Sequence, residues 1–178
     1  MPIFTDEKAA KFMRLALTQA HEFSKDGSTK VAAMLIGRHS HEVRSSGYNG
    51  MPRGCNDDLP ERHERPEKYF WFEHAERNAI YNAARVGTQL AGSLLLVTMH
   101  PCMDCARAIV QAGVEEVVSL APHADFKDRW GSHVEKSAEL FHECGVSVRL
   151  LDPEFVVQSA PLAWRELYRG ILSPKPRS

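Results

Sequence analysis

Apolar side chains at Ala9, Phe12, Met13, Ala16, Ala20 and Phe23 recur at three- and four-residue steps, the period of one helix face, and predict an amphipathic helix over residues 5–24. Thr5 stands where an N-cap belongs, Asp6 and Glu7 suit the positive end of the helix dipole, and Lys25-Asp26-Gly27-Ser28 ends the pattern. Residues 31–37 then form a continuous apolar run, and residues 43–48 a second short run close enough to pair with it as a hairpin. Residues 49–68 are rich in Gly, Pro, Asn and charge and have no period; a loop of that length inside a compact domain usually carries function.

Beyond the loop the pattern alternates. Helical spacing covers residues 74–85, 102–112 and 133–144, the last closed by Gly145, and strand-like runs cover 93–99, 114–120 and 146–151. A hairpin followed by alternating helices and strands predicts an α/β fold with three layers, α/β/α, around a mixed five-stranded sheet. Its first two strands are antiparallel, and its last two are parallel because a helix crosses between them. Trp164, Leu167, Tyr168 and Ile171 keep helical spacing near the end. The expected organisation is one domain over residues 1–151 and an extension over 152–178 with one helix, packed on the core or at a subunit interface.

Composition narrows the class. A chain of 178 residues with 43% apolar and 25% charged side chains is an ordinary globular protein of single-domain size. No apolar run reaches membrane-spanning length and the first helix carries charge throughout, so the expected location is cytoplasmic, with no membrane partner. A net charge of −1 lacks the basic excess that phosphate-backbone binding requires, which argues against a nucleic-acid partner.

The chemistry lies at two predicted helix starts. His74-Ala75-Glu76 opens one helix and Pro101-Cys102-Met103-Asp104-Cys105 opens the next. Cysteines three residues apart at a helix N-terminus face one side, and the helix dipole favours their thiolates. With His74 they make a Cys₂His donor set, which suits Zn2+ and leaves one tetrahedral position open, as catalytic rather than structural zinc sites do. Water at that position is acidified by zinc to a pKa of about 7. Glu76 stands beside it as the general acid and base. A lone C-x-x-C could equally be redox-active or half of a structural zinc finger; the joint pattern, with a carboxylate that a structural site does not need, favours catalysis.

The H-x-E and P-C-x-x-C pair resembles the zinc nucleobase deaminases. Over residues 5–151 the chain is most similar to deoxycytidylate (dCMP) deaminases, through residues 26–33, through Gly47-Tyr48-Asn49-Gly50-Met51-Pro52-Arg53-Gly54-Cys55, through Lys68-Tyr69, and through Gln111-Ala112-Gly113-Val114. The resemblance implies a cytidine-deaminase-like fold and hydrolytic deamination of dCMP to dUMP, with water attacking C4 of cytosine and Glu76 shuttling protons. It implies that Asn49 contacts the nucleoside, that the Ala75 N–H contacts the pyrimidine carbonyl, that the protein is a homo-oligomer (dimer or hexamer), and that dCTP and dTTP act as effectors. Lys30, Arg53, Arg62, His63 and Arg65 are the cations available to a 5′-phosphate, and Phe126 and Trp130, in the loop after the fourth strand, are candidates to cover the base. Glu73 before the histidine, the segment 126–130 and the tail after Leu151 depart from the family pattern. Another base, nucleoside or nucleotide, a tRNA adenosine, and a non-catalytic zinc module remain as alternatives.

Overall fold

The computed structural model describes residues 2–122 and 124–173, the side chains of 124–130 excepted. Helix α1, Asp6–Phe23, begins where the Thr5 hydroxyl accepts from the Lys8 N–H at 3.4 Å and buries Ala9, Met13, Ala16 and Ala20 along one face. The hairpin strands are β1, Ala32–Ile36, and β2, Val43–Tyr48. After a 3₁₀ turn at Pro60–His63 come α2, Lys68–Trp71, and α3, Ala75–Val86. The alternating part comprises β3, Leu94–Val97; α4, Met103–Gln111; β4, Glu116–Leu120; α5, Ala124–Glu143; and β5, Ser147–Leu151. Helices α6, Pro153–Gln158, and α7, Leu162–Leu172, complete the described chain.

The sheet order is β2-β1-β3-β4-β5. Strand β1 is antiparallel to both β2 and β3, whereas β3, β4 and β5 run parallel because α4 and α5 return the chain across the sheet each time. Alternation along β1 divides the core. Ala32, Met34 and Ile36 face a layer made by α1, α6 and α7, and Ala33 and Leu35 face a layer made by α3, α4 and α5. The fold is thus the expected three-layer α/β/α arrangement with a mixed sheet.

Strand β2 is an edge, and α3 closes it. Asn82 and Asn78, one helical turn apart, donate their side-chain amides to the Ser46 carbonyl at 2.7 Å and the Tyr48 carbonyl at 2.9 Å, acceptors an edge strand leaves unpaired. The approach is close enough to require Gly47: a Cβ there would lie 2.4 Å from the Ala79 nitrogen and 2.6 Å from the Ala75 carbonyl oxygen. The orientation of α3, and hence of the histidine at its start, is set by this contact.

Two parts of the chain differ from the sequence pattern. Helix α5 begins at Ala124 rather than residue 133, so residues 126–130 are helical and not a loop. Gly131 lies inside that helix, where the cost of about 1 kcal/mol is outweighed by packing that includes the fully buried Phe141. The extension has two helices, since Asp152 caps α6 by accepting from the Glu154 N–H at 3.0 Å and Pro153 fits its first turn. Both helices join the α1 core through Val156, Val157, Ala160 and Tyr168, and the buried Arg14 donates to the Val156 carbonyl at 3.1 Å and Ser159 Oγ at 2.8 Å. Trp164 and Leu167, by contrast, stay exposed. Among the described residues no helix is long and apolar enough to cross a membrane.

Candidate active site

His74 and Cys102 are the N-cap residues of α3 and α4, each in an extended conformation that precedes its helix. Cys105 lies buried in the first turn of α4. His74 Nδ1 is 3.5 Å from Cys102 Sγ and 3.4 Å from Cys105 Sγ. A tetrahedral zinc with bonds of about 2.0 Å to nitrogen and about 2.3 Å to sulfur spaces such atoms by about 3.5 Å. The three donors are therefore already at zinc distances, and they are the one group of its kind among the described residues. Hydrogen bonding from Cys105, and then from His74, holds the Cys102 thiol down at about 3 against the opposing effect of burial. The hydrogen bond with Cys102, together with burial, pushes Cys105 up, so the remaining proton sits on Cys105 and is released on metal ligation.

Glu76, on the first turn of α3, is 4% exposed. Burial pushes its carboxyl above the usual range, against the pull of nearby His74. Glu73 fastens the approach to α3: its backbone exchanges hydrogen bonds of 2.9 and 3.1 Å with Gly50, and its carboxylate accepts from the His74 N–H at 3.0 Å and pairs with Arg77. Arg77 lies 3.9 Å from Asp104 on α4 as well, so one cation spans the starts of both ligand-bearing helices.

His74, Ala75, Glu76 and Cys102 line a single cavity together with Asn49. As the first residue of α3, Ala75 has an N–H without an intrahelical acceptor. Asn49 reaches the cavity with its amide already engaged. Its Oδ1 accepts from Ser24 Oγ at 2.7 Å and the Val31 N–H at 2.8 Å, and its Nδ2 donates to the Thr29 carbonyl at 2.7 Å and to Asp26 at 3.4 Å.

Four of the five cations proposed from the sequence are elsewhere. Lys30 donates to the His21 carbonyl at 2.6 Å and Arg53 to Asn82; neither lines the cavity. Arg62 stacks on Trp71 at 3.7 Å, and His63 packs edge-on to Phe72. Arg65 alone of that set lines the cavity. The side chains of Phe126 and Trp130 lie outside the described residues. Sequence reasoning missed a buried pair in the cavity wall, Lys68 and Asp26, whose Nζ and Oδ2 are 2.7 Å apart. Burial pushes the Asp26 carboxyl up, but hydrogen bonds from Lys68 and Ser28 outweigh it and hold it below the usual carboxylate range. The aromatic run that follows Lys68, and the Asx-type turn at Asp26-Gly27-Ser28, were the available signals.

Zinc-distance donors at two helix starts, a buried carboxyl group beside them and a cavity above define a zinc hydrolase centre on an α/β/α scaffold. Residues 6–121 match the family described as the cytidine and deoxycytidylate deaminase zinc-binding region, and the chain belongs to that family. It is 35% identical to the deoxycytidylate deaminase of Homo sapiens, over 80% of this chain and 79% of that one. It is 38% identical to an "Uncharacterized deaminase in luxG 3'region" of Aliivibrio fischeri, over 80% of this chain and 92% of that one. The fold is shared with the crystal structure of dCMP deaminase from the cyanophage S-TIM5 in complex with dCMP and dUMP, at a TM-score of 0.66 and 24% identity, covering 83% of this chain and 99% of that one.

Proposed function

We propose that this protein hydrolyses dCMP to dUMP and ammonia in a zinc-dependent reaction. The observation that carries the reading is Glu76, a carboxyl group buried next to three zinc donors and open to the same cavity. Its relatives include proteins named deoxycytidylate deaminase, which supplies the substrate. Zinc, when bound by His74, Cys102 and Cys105, provides Lewis-acid activation of the attacking water. The chain's own groups move the protons and hold the base. Glu76 takes a proton from the water that attacks C4 and passes it to N3 of the ring; it then takes the remaining proton of the new C4 hydroxyl and gives it to the amine, which leaves as ammonia as the C4 carbonyl forms. The Ala75 N–H, pointing out of a helix start, meets the pyrimidine carbonyl and fixes the ring edge toward Glu76.

The enzyme belongs to cytoplasmic nucleotide metabolism and acts as a homo-oligomer, for which the exposed Phe70, Tyr81 and Val86 on α2 and α3 provide apolar surface. The test is ammonia release from cytosine, deoxycytidine, CMP, dCMP and tRNA, with dCTP and dTTP added in turn. We expect dCMP to be the preferred substrate and Glu76→Gln to keep its zinc while turnover falls at least about a hundredfold. Near-normal turnover in that variant, or no turnover of dCMP by the parent, would refute the assignment.

A further inference from the structure

We infer that Lys68 and Arg65 form the phosphate subsite of the cavity, with Lys68 its buried member and Arg65 its exposed one. The inference rests on the nucleotide reading above. Lys68 is 7% exposed at its side chain, as is Asp26 opposite it. Its ammonium donates to Asp26 Oδ2 at 2.7 Å and to Ser28 Oγ at 2.8 Å. An ammonium carries three protons, and no third acceptor for it is found among the described residues. Leaving a buried charged donor unmatched is costly, and this one lines the cavity.

Asp26 has no matching capacity to spare. Its Oδ1 accepts from the Ser28 N–H, the Ser28 hydroxyl and the Thr29 N–H, at 2.9, 2.9 and 3.1 Å, and its Oδ2 accepts from Lys68 and Asn49. The carboxylate is consumed by the loop that holds it while the ammonium keeps a free proton. The pair therefore offers a ligand a donor and a cation, not an acceptor. The Phe72 ring, 5.9 Å from Nζ, supplies an apolar wall that keeps the charge poorly hydrated and strengthens its pull on an anion.

Arg65 completes the subsite from the mouth. It is exposed, lines the same cavity, and has no hydrogen bond or ion pair among the described residues. The competing cations are engaged elsewhere, Arg62 with the Asn56 carbonyl at 2.9 Å as well as with Trp71. A guanidinium and an ammonium that converge on one cavity match an oxyanion with several acceptor oxygens, which is a monophosphate.

The experiment compares kcat/KM for dCMP and deoxycytidine in the parent, in Arg65→Gln, and in the double variant Asp26→Asn/Lys68→Met, which removes both charges and strands neither. Zinc content and thermal unfolding establish that each variant is folded, and Arg65→Gln, which breaks no contact of the fold, carries the test if the double variant does not fold. The dCMP/deoxycytidine ratio should fall about 10- to 100-fold for each contact removed, chiefly through KM, and the affinity for dUMP should fall in step. A parent that prefers dCMP while Arg65→Gln, or the folded double variant, keeps the full ratio overturns this subsite and leaves the nucleotide reading standing. A parent that treats dCMP and deoxycytidine alike overturns the nucleotide reading itself, and the subsite with it.

Discussion

Replacing Gly47 by alanine tests how the scaffold positions the metal. The added Cβ would sit 2.4 Å from the Ala79 nitrogen and 2.6 Å from the Ala75 carbonyl oxygen, both backbone atoms of α3. Ordinary contact begins at about 3.4 Å, so α3 must retreat from β2 by nearly 1 Å or the strand must bend away. Retreat stretches the amide contacts of Asn78 and Asn82 to β2 and carries Ala75 and Glu76 with it, while Cys102 and Cys105 stay on α4. Overpacking of this kind costs about 1–3 kcal/mol, which for a domain of this size lowers the melting temperature by about 2–12 °C. A displacement near 1 Å at a reacting centre can cost about a hundredfold in rate. Zinc affinity, measured by competition with a chromophoric chelator, should weaken alongside. Gly50→Ala is the control, because nothing lies within 4 Å of a Cβ there. If Gly47→Ala matches that control in melting temperature, zinc affinity and turnover, the contact does not orient α3 and the reasoning fails.

Three more outcomes follow from the site. Cys105→Ala should bind no zinc and turn over no substrate, and metal analysis showing full occupancy would remove Cys105 from the ligand set. Asn49→Ala leaves the buried Val31 N–H and the Thr29 carbonyl without their partner, while the Ser24 hydroxyl keeps the backbone carbonyl of residue 49, and should cost about 3 kcal/mol in urea unfolding, more than the loss of one ligand contact would explain. Asp26, held below the usual carboxylate range in the folded state, contributes stability that is complete above about pH 4, the unfolded carboxylate value, and disappears as pH falls through its lower folded value. Unfolding free energies between pH 6 and pH 2 should therefore fall more steeply in the parent than in Asp26→Asn, and parallel curves would show that the pair adds no pH-dependent stability.

The metal set was legible in the sequence because its donors come in two short motifs at helix starts, where the residues next to one another in the chain also lie together in space. The sheet was legible because β1, β3 and β4 are buried on both faces and read as continuous apolar runs. Lys68 and Asp26 were not, since they lie 42 positions apart and each alone looks like a solvated charge. Lys30 and Lys68 make the point together: both follow loop segments, yet one turns outward to a helix-end carbonyl and the other inward to a carboxylate, and only the fold decides which. The early start of α5 was hidden by Gly131, a local preference overruled by packing, and α6 by its shortness.

The paired backbone hydrogen bonds between Gly50 and Glu73 have a consequence for how such enzymes can diversify. They pinch together the two ends of the excursion over residues 51–72 and so fix its exit just before His74 and the start of α3 at Ala75, whatever the length of chain beyond the neck. Arg65, Lys68, Tyr69 and Phe72 all belong to the excursion, whereas His74, Glu76, Cys102 and Cys105 lie outside it. Doubling the length of such a closed loop costs only about 0.6 kcal/mol in chain entropy. The neck thus lets the loop that carries Arg65 and Lys68 be lengthened or shortened at small entropic cost while the helix starts that carry His74, Cys102 and Cys105 keep their places.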